Sequence, residues 1–301
     1  MKYLRKRSQL TNNFDVDQST FANLSSNRGG AIYCDSPILL RINHCLFTAC
    51  YASDRGGGIF CDKNDFYMRN TCFLSNGAVF DADSQSYTSV NLNYEYISTA
   101  NSLTKYHSFW TKADVYMKMR YINSSFSKNT LLNDQYGSFM TICVCKNHSM
   151  KYLQGSNCSG LNSLFAVESE HPATVEYVNL LYDQSSPNIF GSQWQTSYNN
   201  VFRYFYVFGN TNIKKVFAQC DSSSTLYLYY CTFDLSESLF TSGTHNSCKF
   251  SNSNNNNFHI YTQRKMIICE EVIQLDRIIT LFFCHYTNLH FILGLIYIIL
   301  E

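Results

Sequence analysis

Apolar and polar residues alternate in short runs along the first eighty or so positions, and the runs recur. In IYC at 32–34 the order places Ile32 and Cys34 on one face of an extended chain and Tyr33 on the other. IFC at 59–61 repeats that order with Ile59, Phe60 and Cys61. Further apolar runs lie at 38–47, 174–180, 201–208 and 224–233. They are rich in β-branched and aromatic residues, and turn formers separate them. Long helices of Ala, Glu, Lys and Leu are absent, so the pattern predicts strands.

The runs sit inside a longer repeat. RGGAIYCD at 28–35 returns as RGGGIFCD at 55–62. INHCLFTAC at 42–50 is followed by RNTCFLSN at 69–76, which aligns Cys45 with Cys72 and Phe47 with Phe73. A shortened phrase, NGAVFDAD, starts at Asn76. Steps of about 26 residues, within the range of known repeat architectures, connect Phe21, Phe47 and Phe73. Two such steps lead on to Phe126, and the same step from there reaches Tyr152, Val178, Tyr204 and Tyr230.

Short strands at such a period predict one turn of a parallel β-solenoid, each strand pairing with its copy about 4.8 Å away. The paired glycines then form a tight corner with φ > 0, and Ala31 or Gly58 beyond them is small because the corner is crowded. Ile32, Cys34, Ile59 and Cys61 are expected inside as an aliphatic ladder and a thiol ladder. Cysteines stacked at strand spacing are too far apart for an easy disulfide, so reduced buried thiols are expected.

Composition narrows the function classes. The net charge is +1 and the basic residues are dispersed, apart from Lys2, Arg5, Lys6 and Arg7, which speaks against a nucleic-acid partner. Thirteen cysteines without a CxxC pair do not read as a disulfide scaffold. Cys143 and Cys145 with His148 hint at zinc but lack a fourth ligand. No cofactor is expected. The basic start has no apolar stretch behind it and is not read as a signal peptide.

The motif pair in this chain resembles a known repeat. GGA[ILV] is matched by Gly29, Gly30, Ala31 and Ile32, and FxxN by Phe73–Asn76 and Phe126–Asn129. The companion I-x-x-C-x-F is matched at Ile42, Cys45 and Phe47. The pair resembles the repeat of chlamydial polymorphic outer-membrane proteins and of the related surface proteins of trichomonad parasites. That resemblance implies an all-β, right-handed parallel β-helix (pectin lyase-like) at the cell surface, non-enzymatic, with an adhesion role toward host-cell or glycan ligands. Members of the family carry secretion or membrane signals, so a fragment of a longer protein is one reading of this chain.

The domain reading is a β-helix over 1–250 and a tail over 251–301, divided by SNSNNNN. Residues 278–300 would span about 34 Å as a helix, enough for a bilayer. His285, Asn288 and His290 interrupt the run, and a cap on the open end of the solenoid is the competing reading. Tyr33 and Phe60 are the candidate binding residues, as outward aromatics. Asp62, Asp65, Asp81 and Asp83 form the candidate cation or carbohydrate-active site, since a β-helix lyase or glycosidase needs clustered outer carboxylates. The bland alternative is a solvated row of turn carboxylates.

Overall fold

The computed structural model describes residues 13–250 except 36–38, 63–64, 81–82, 105–108, 128–129, 132–136, 145–146, 157–162, 170–173, 182–187, 192–199, 211–212, 219–225, 240–243 and 247; within parts of the strands it describes the backbone alone. The tail after 250, and with it the 278–300 segment and the second half of the domain division, lies outside the described residues. No helix among the described residues is long and apolar enough to cross a membrane.

One coil shows how the chain turns. Four strands, Leu39–Asn43, Leu46–Thr48, Tyr51–Arg55 and Ile59–Asp62, follow one another. Between them stand three left-handed residues: His44 (φ 49°), Ala49 (φ 50°) and Gly56 (φ 65°). Each left-handed residue reverses the local twist of an extended chain and makes a corner. The next coil repeats the plan and pairs in parallel: Leu40 with Phe66, Phe47 with Phe73, Ala52 with Ala78 and Ile59 with Ser84. The protein is therefore an all-β parallel solenoid with coils of about 26 residues, as the repeat predicts. Paired strands run from Phe14–Asp17 to Lys249–Phe250. The step is not constant. It lengthens where Lys118 meets Asn147 and shortens sharply where Leu228 meets His245.

The core runs along the axis. Leu40, Ile42, Phe66, Met68, Val175, Phe202 and Leu228 face inward from matching strands and are buried. Phe47 is sandwiched between Phe21 and Phe73, with ring centroids 4.7 and 4.9 Å away. In this row the register continues through Thr99, Phe126, Gly155, Leu180, Val207 and Phe233 to Phe250. The step from Phe73 to Phe126 thus holds. The onward ladder through Tyr152, Val178, Tyr204 and Tyr230 does not, because the longer step after Phe126 moves the row on to Gly155.

The repeated phrase is a corner. Gly29 and Gly56 are left-handed (φ 59° and 65°), and a Cβ there would lie 2.0 and 2.2 Å from the carbonyl oxygens of Ile32 and Ile59. Gly58 is small for another reason: its Cβ would stand 2.7 Å from the Asp83 carbonyl oxygen and 2.9 Å from the Phe73 ring. Beyond the corner, Ile32, Cys34, Ile59 and Cys61 are interior, Ile32 pairs with Ile59, and Cys34 with Cys61. Gly56→Ala is expected to cost about 1–3 kcal/mol through backbone strain alone. An unchanged urea midpoint in that variant would remove the corner assignment.

Three sequence expectations are corrected. Within 38–47, His44 parts Leu39–Asn43 from Leu46–Thr48, and within 224–233, Tyr230 (φ 56°) parts Leu226–Tyr229 from Thr232–Phe233. Cys45 does not align with Cys72. Cys45 and Thr71 both follow a left-handed residue and bond the carbonyl two positions back, to Asn43 and Arg69. Cys72 instead pairs with Leu46 and packs with Leu74 in a separate cluster. Third, the expectation of reduced thiols holds for Cys34, Cys45, Cys50, Cys61, Cys231 and Cys248 but fails at Cys72, which is disulfide-bonded. Burial pushes the Cys45 and Cys50 thiols up to about 11, so these two are inert.

FxxN also acquires a mechanism. Asn76 accepts a hydrogen bond from Cys50 N (2.9 Å) and donates to Phe47 O (3.2 Å), tying its coil to the previous one. Asn210, at the matching place after Val207, donates to Leu180 O (3.1 Å). Buried backbone groups at the corner thereby find partners.

Candidate functional site

The aromatic pair chosen from sequence is less open than its alternation suggests. Tyr33 is half-buried and stacks on Phe60 at 5.5 Å, with its hydroxyl on Asp35 Oδ2 (2.9 Å). Phe60 is only 5% exposed, which corrects its reading as an outward contact. The guanidinium of Arg28 covers it from the coil before, 5.6 Å from the ring centroid. Arg55 stands likewise 5.1 Å from the ring of Phe80. Asp54 holds both arginines, Arg28 Nε at 2.7 Å and Arg55 Nε at 3.6 Å. The arginine of each RGG phrase therefore shields an aromatic of the next coil, a cation–π contact worth about 0.5–1 kcal/mol at a partly exposed site.

The described members of the acidic set, Asp62, Asp65 and Asp83, form no outer cluster. Asp62 and Asp65 are half-buried on strands, in register with Tyr87 and with Leu39, and Asp81 lies outside the described residues. Asp83 is withdrawn into the core. It is fully buried, and its Oδ1 accepts from Ser102 Oγ (2.6 Å) and Asn76 Nδ2 (3.1 Å). Burial pushes its carboxyl up to about 7 against the two hydrogen bonds. Asp83 is therefore not a solvated turn carboxylate. No group of three or more His, Cys, Asp or Glu side chains among the described residues is placed to hold a metal ion. Cys143, Cys145 and His148 lie outside the residues whose side chains are described.

A different row stands out. The first corner of each coil is left-handed at Gln18, His44, Asn70 and Tyr96, and later at Tyr152, Tyr177, Tyr204 and Tyr230 (φ 56–59° in these last four). In the early coils mostly small or polar side chains fill the place, as the left-handed region favours. His44 there links Asp17 Oδ1 (3.3 Å) and Asn70 Nδ2 (3.2 Å). In the later coils four bulky tyrosines fill it and stack in register. Centroids are 4.9 Å apart for Tyr152 and Tyr177, 4.8 Å for Tyr177 and Tyr204, and 5.3 Å for Tyr204 and Tyr230, with planes within 13°. Tyr152 and Tyr230 are 37% and 52% exposed.

A charged row runs beside it. Lys151, Glu176, Arg203 and Tyr229 are register partners one residue before each tyrosine. Glu176 Oε2 meets Lys151 Nζ at 2.6 Å, and Oε1 meets Arg203 NH1 at 3.4 Å. Hydrogen bonding to Lys151, with Arg203 adding to it, holds the Glu176 carboxyl below the usual carboxylate range. The two cationic side chains are 42% and 45% exposed and the carboxylate side chain 15%, so the row presents net positive charge. Arg203 also lies over the Tyr229 ring at 5.8 Å.

Geometry sets what this corner presents. Each interior ring has both faces against other rings, so the ladder offers edges and hydroxyl groups at coil spacing. Each left-handed tyrosine costs about 1–2 kcal/mol. Each ring pair contributes about 0.5–1.5 kcal/mol beyond its burial. These are of the same order, so stacking, together with the burial of the rings, offsets the strain at a corner where an earlier coil places Asn70. The sequence carried a signal for the ladder: Lys151-Tyr152, Glu176-Tyr177 and Arg203-Tyr204 are charged–tyrosine dipeptides that recur at close to the coil period.

No family model, no curated protein and no solved structure matches the chain.

Proposed function

We propose that this protein is a non-enzymatic, adhesion-type β-solenoid that works at a cell surface and holds an acidic glycan along its tyrosine corner. The observation that carries the reading is the stacked, strained and partly exposed row Tyr152, Tyr177, Tyr204 and Tyr230 beside the net-positive row of Lys151, Glu176 and Arg203. Phenol hydroxyls at coil spacing suit the hydroxyl groups of an extended sugar chain, and the two cations suit its carboxylate or sulfate groups. The cell-surface placement rests on the GGAI and FxxN resemblance.

The test uses the full chain against an immobilised uronic-acid polysaccharide and a neutral glucan of similar length. The acidic polymer is expected to be retained, less so at high salt, because exposed charges are screened. The double variant Tyr177→Asn with Tyr204→Asn is expected to lose about tenfold or more in affinity, the equivalent of about 1.4 kcal/mol. Its unfolding midpoint is expected to move little. Equal retention by the double variant, or equal retention of the two polymers, sinks the reading.

A further inference from the structure

Two thiols near the end of the described solenoid stand apart from the others. Cys34 and Cys61 are direct partners within paired strands, where ladder spacing holds them. Cys231 and Cys248 occupy matching places in two successive coils, each just before the pairing of Thr232 with Lys249, but neither lies in a strand. The pairings of Tyr229 with Asn246 and of Thr232 with Lys249 flank them and set the two thiols side by side in neighbouring coils, where they hydrogen-bond to each other. Cys231 is buried and hydrogen-bonded to Tyr229 O (3.4 Å) and Phe202 O (3.9 Å). Cys248 is half-buried and bonded to Leu228 O (3.6 Å).

The coil that carries Cys248 is also the shortest described. The chain advances much less from Leu228 to its partner His245 than from Phe202 to Leu228 in the coil before. Short strands join the two coils: Thr244–Asn246 on Leu226–Tyr229, and Lys249–Phe250 on Thr232–Phe233. Short pairings of this kind open locally more readily than long ones.

We propose that Cys231 and Cys248 are an oxidation site, a thiol pair that a low-molecular-weight disulfide converts into a staple across the last two described coils. The order of events follows from access. Cys248, the more accessible thiol, loses its proton and attacks one sulfur of the oxidant, releasing one equivalent of reduced thiol. Cys231, whose burial keeps it protonated until then, gives up its proton and attacks Cys248 Sγ, releasing the second. Two protein thiols are oxidised to one disulfide, and one small disulfide is reduced to two thiols.

The experiment treats the full chain with oxidised glutathione, blocks remaining thiols, and maps peptides by mass spectrometry. The expected product is a Cys231–Cys248 cross-linked peptide pair, two hydrogens lighter than its parts, formed well before any Cys34–Cys61 link. Trypsin cleavage after Lys249 is expected to slow several-fold in the oxidised protein and to recover on reduction. In Cys248→Ser, oxidation is expected to give no such protection. Stable glutathione on Cys248 with Cys231 still reduced overturns the proposal. So does cross-linking at Cys34 and Cys61 at an equal rate, or protection that survives in Cys248→Ser.

Discussion

Replacing Asp83 with asparagine is expected to stabilise the protein at pH 8 and to do less at each lower pH. The carboxyl is fully buried and pushed up to about 7, against 3.8 for an unhindered aspartate. Below pH 3.8 the group is protonated in both folded and unfolded chains and contributes no pH dependence. Between those values the unfolded chain has released its proton while the folded chain still holds it, so stability falls as pH rises. Above about 7 both are ionised and the loss is complete. One pKa unit corresponds to about 1.36 kcal/mol, so the full loss is roughly 4 kcal/mol. Asparagine keeps an oxygen to accept from Ser102 and Asn76 and carries no charge to desolvate. The advantage of Asp83→Asn over the parent should therefore grow by about 1.4 kcal/mol per pH unit from pH 4 to 7 and then level off. Urea titrations at pH 4.5, 6 and 8 read this directly. Parallel stability curves for the two proteins would place Asp83 outside the core.

Phe47→Ala carries the other large effect. Phe47 is fully buried, and its ring lies between Phe21 and Phe73 at 4.7 and 4.9 Å with planes within 12°. Removing it opens a cavity on the axis that the rigid coils above and below cannot close. The expected loss is about 3–5 kcal/mol, as for aromatic truncations in tight cores. The unfolding midpoint measures it, and a loss under about 1 kcal/mol would mean that the Phe21–Phe47–Phe73 row is not the core.

Much of this architecture was legible in the sequence because the phrase at 28–35 and 55–62 repeats residue by residue. The left-handed glycine, the small residue after it and the inward Ile and Cys rungs all follow from one period and one alternation. What was not legible came from contacts between coils. Alternation puts Phe60 outside, and it is buried because Arg28 of the coil before lies over it. The acidic phrase at 81–83 reads as a turn, but Asp83 points inward to the asparagine of the FxxN motif. The tyrosine corner was hidden by drift in the period. A constant step from Phe126 mixes the corner row of Tyr152, Tyr204 and Tyr230 with the interior residue Val178, while the true partner of Tyr152 and Tyr204 is Tyr177. Left-handed tyrosine is also unfavourable enough that no propensity rule proposes it.

The central claim is that successive coils stack in register along one axis, and a distance measurement tests it most directly. The register carries Asp17 through Asn43, Arg69, Glu95 and Ile122 to Lys151, and on through Glu176 to Arg203. Nitroxide labels on ketone-bearing residues at 17 and 151 are then five coils apart, and labels at 17 and 203 seven coils apart. At about 4.8 Å per coil, pulsed electron resonance should give backbone separations of about 24 and 34 Å, allowing for the label arms. Two narrow distributions in that ratio are the expected result. A second distance equal to or shorter than the first, or one broad distribution for both pairs, would contradict the stacked solenoid.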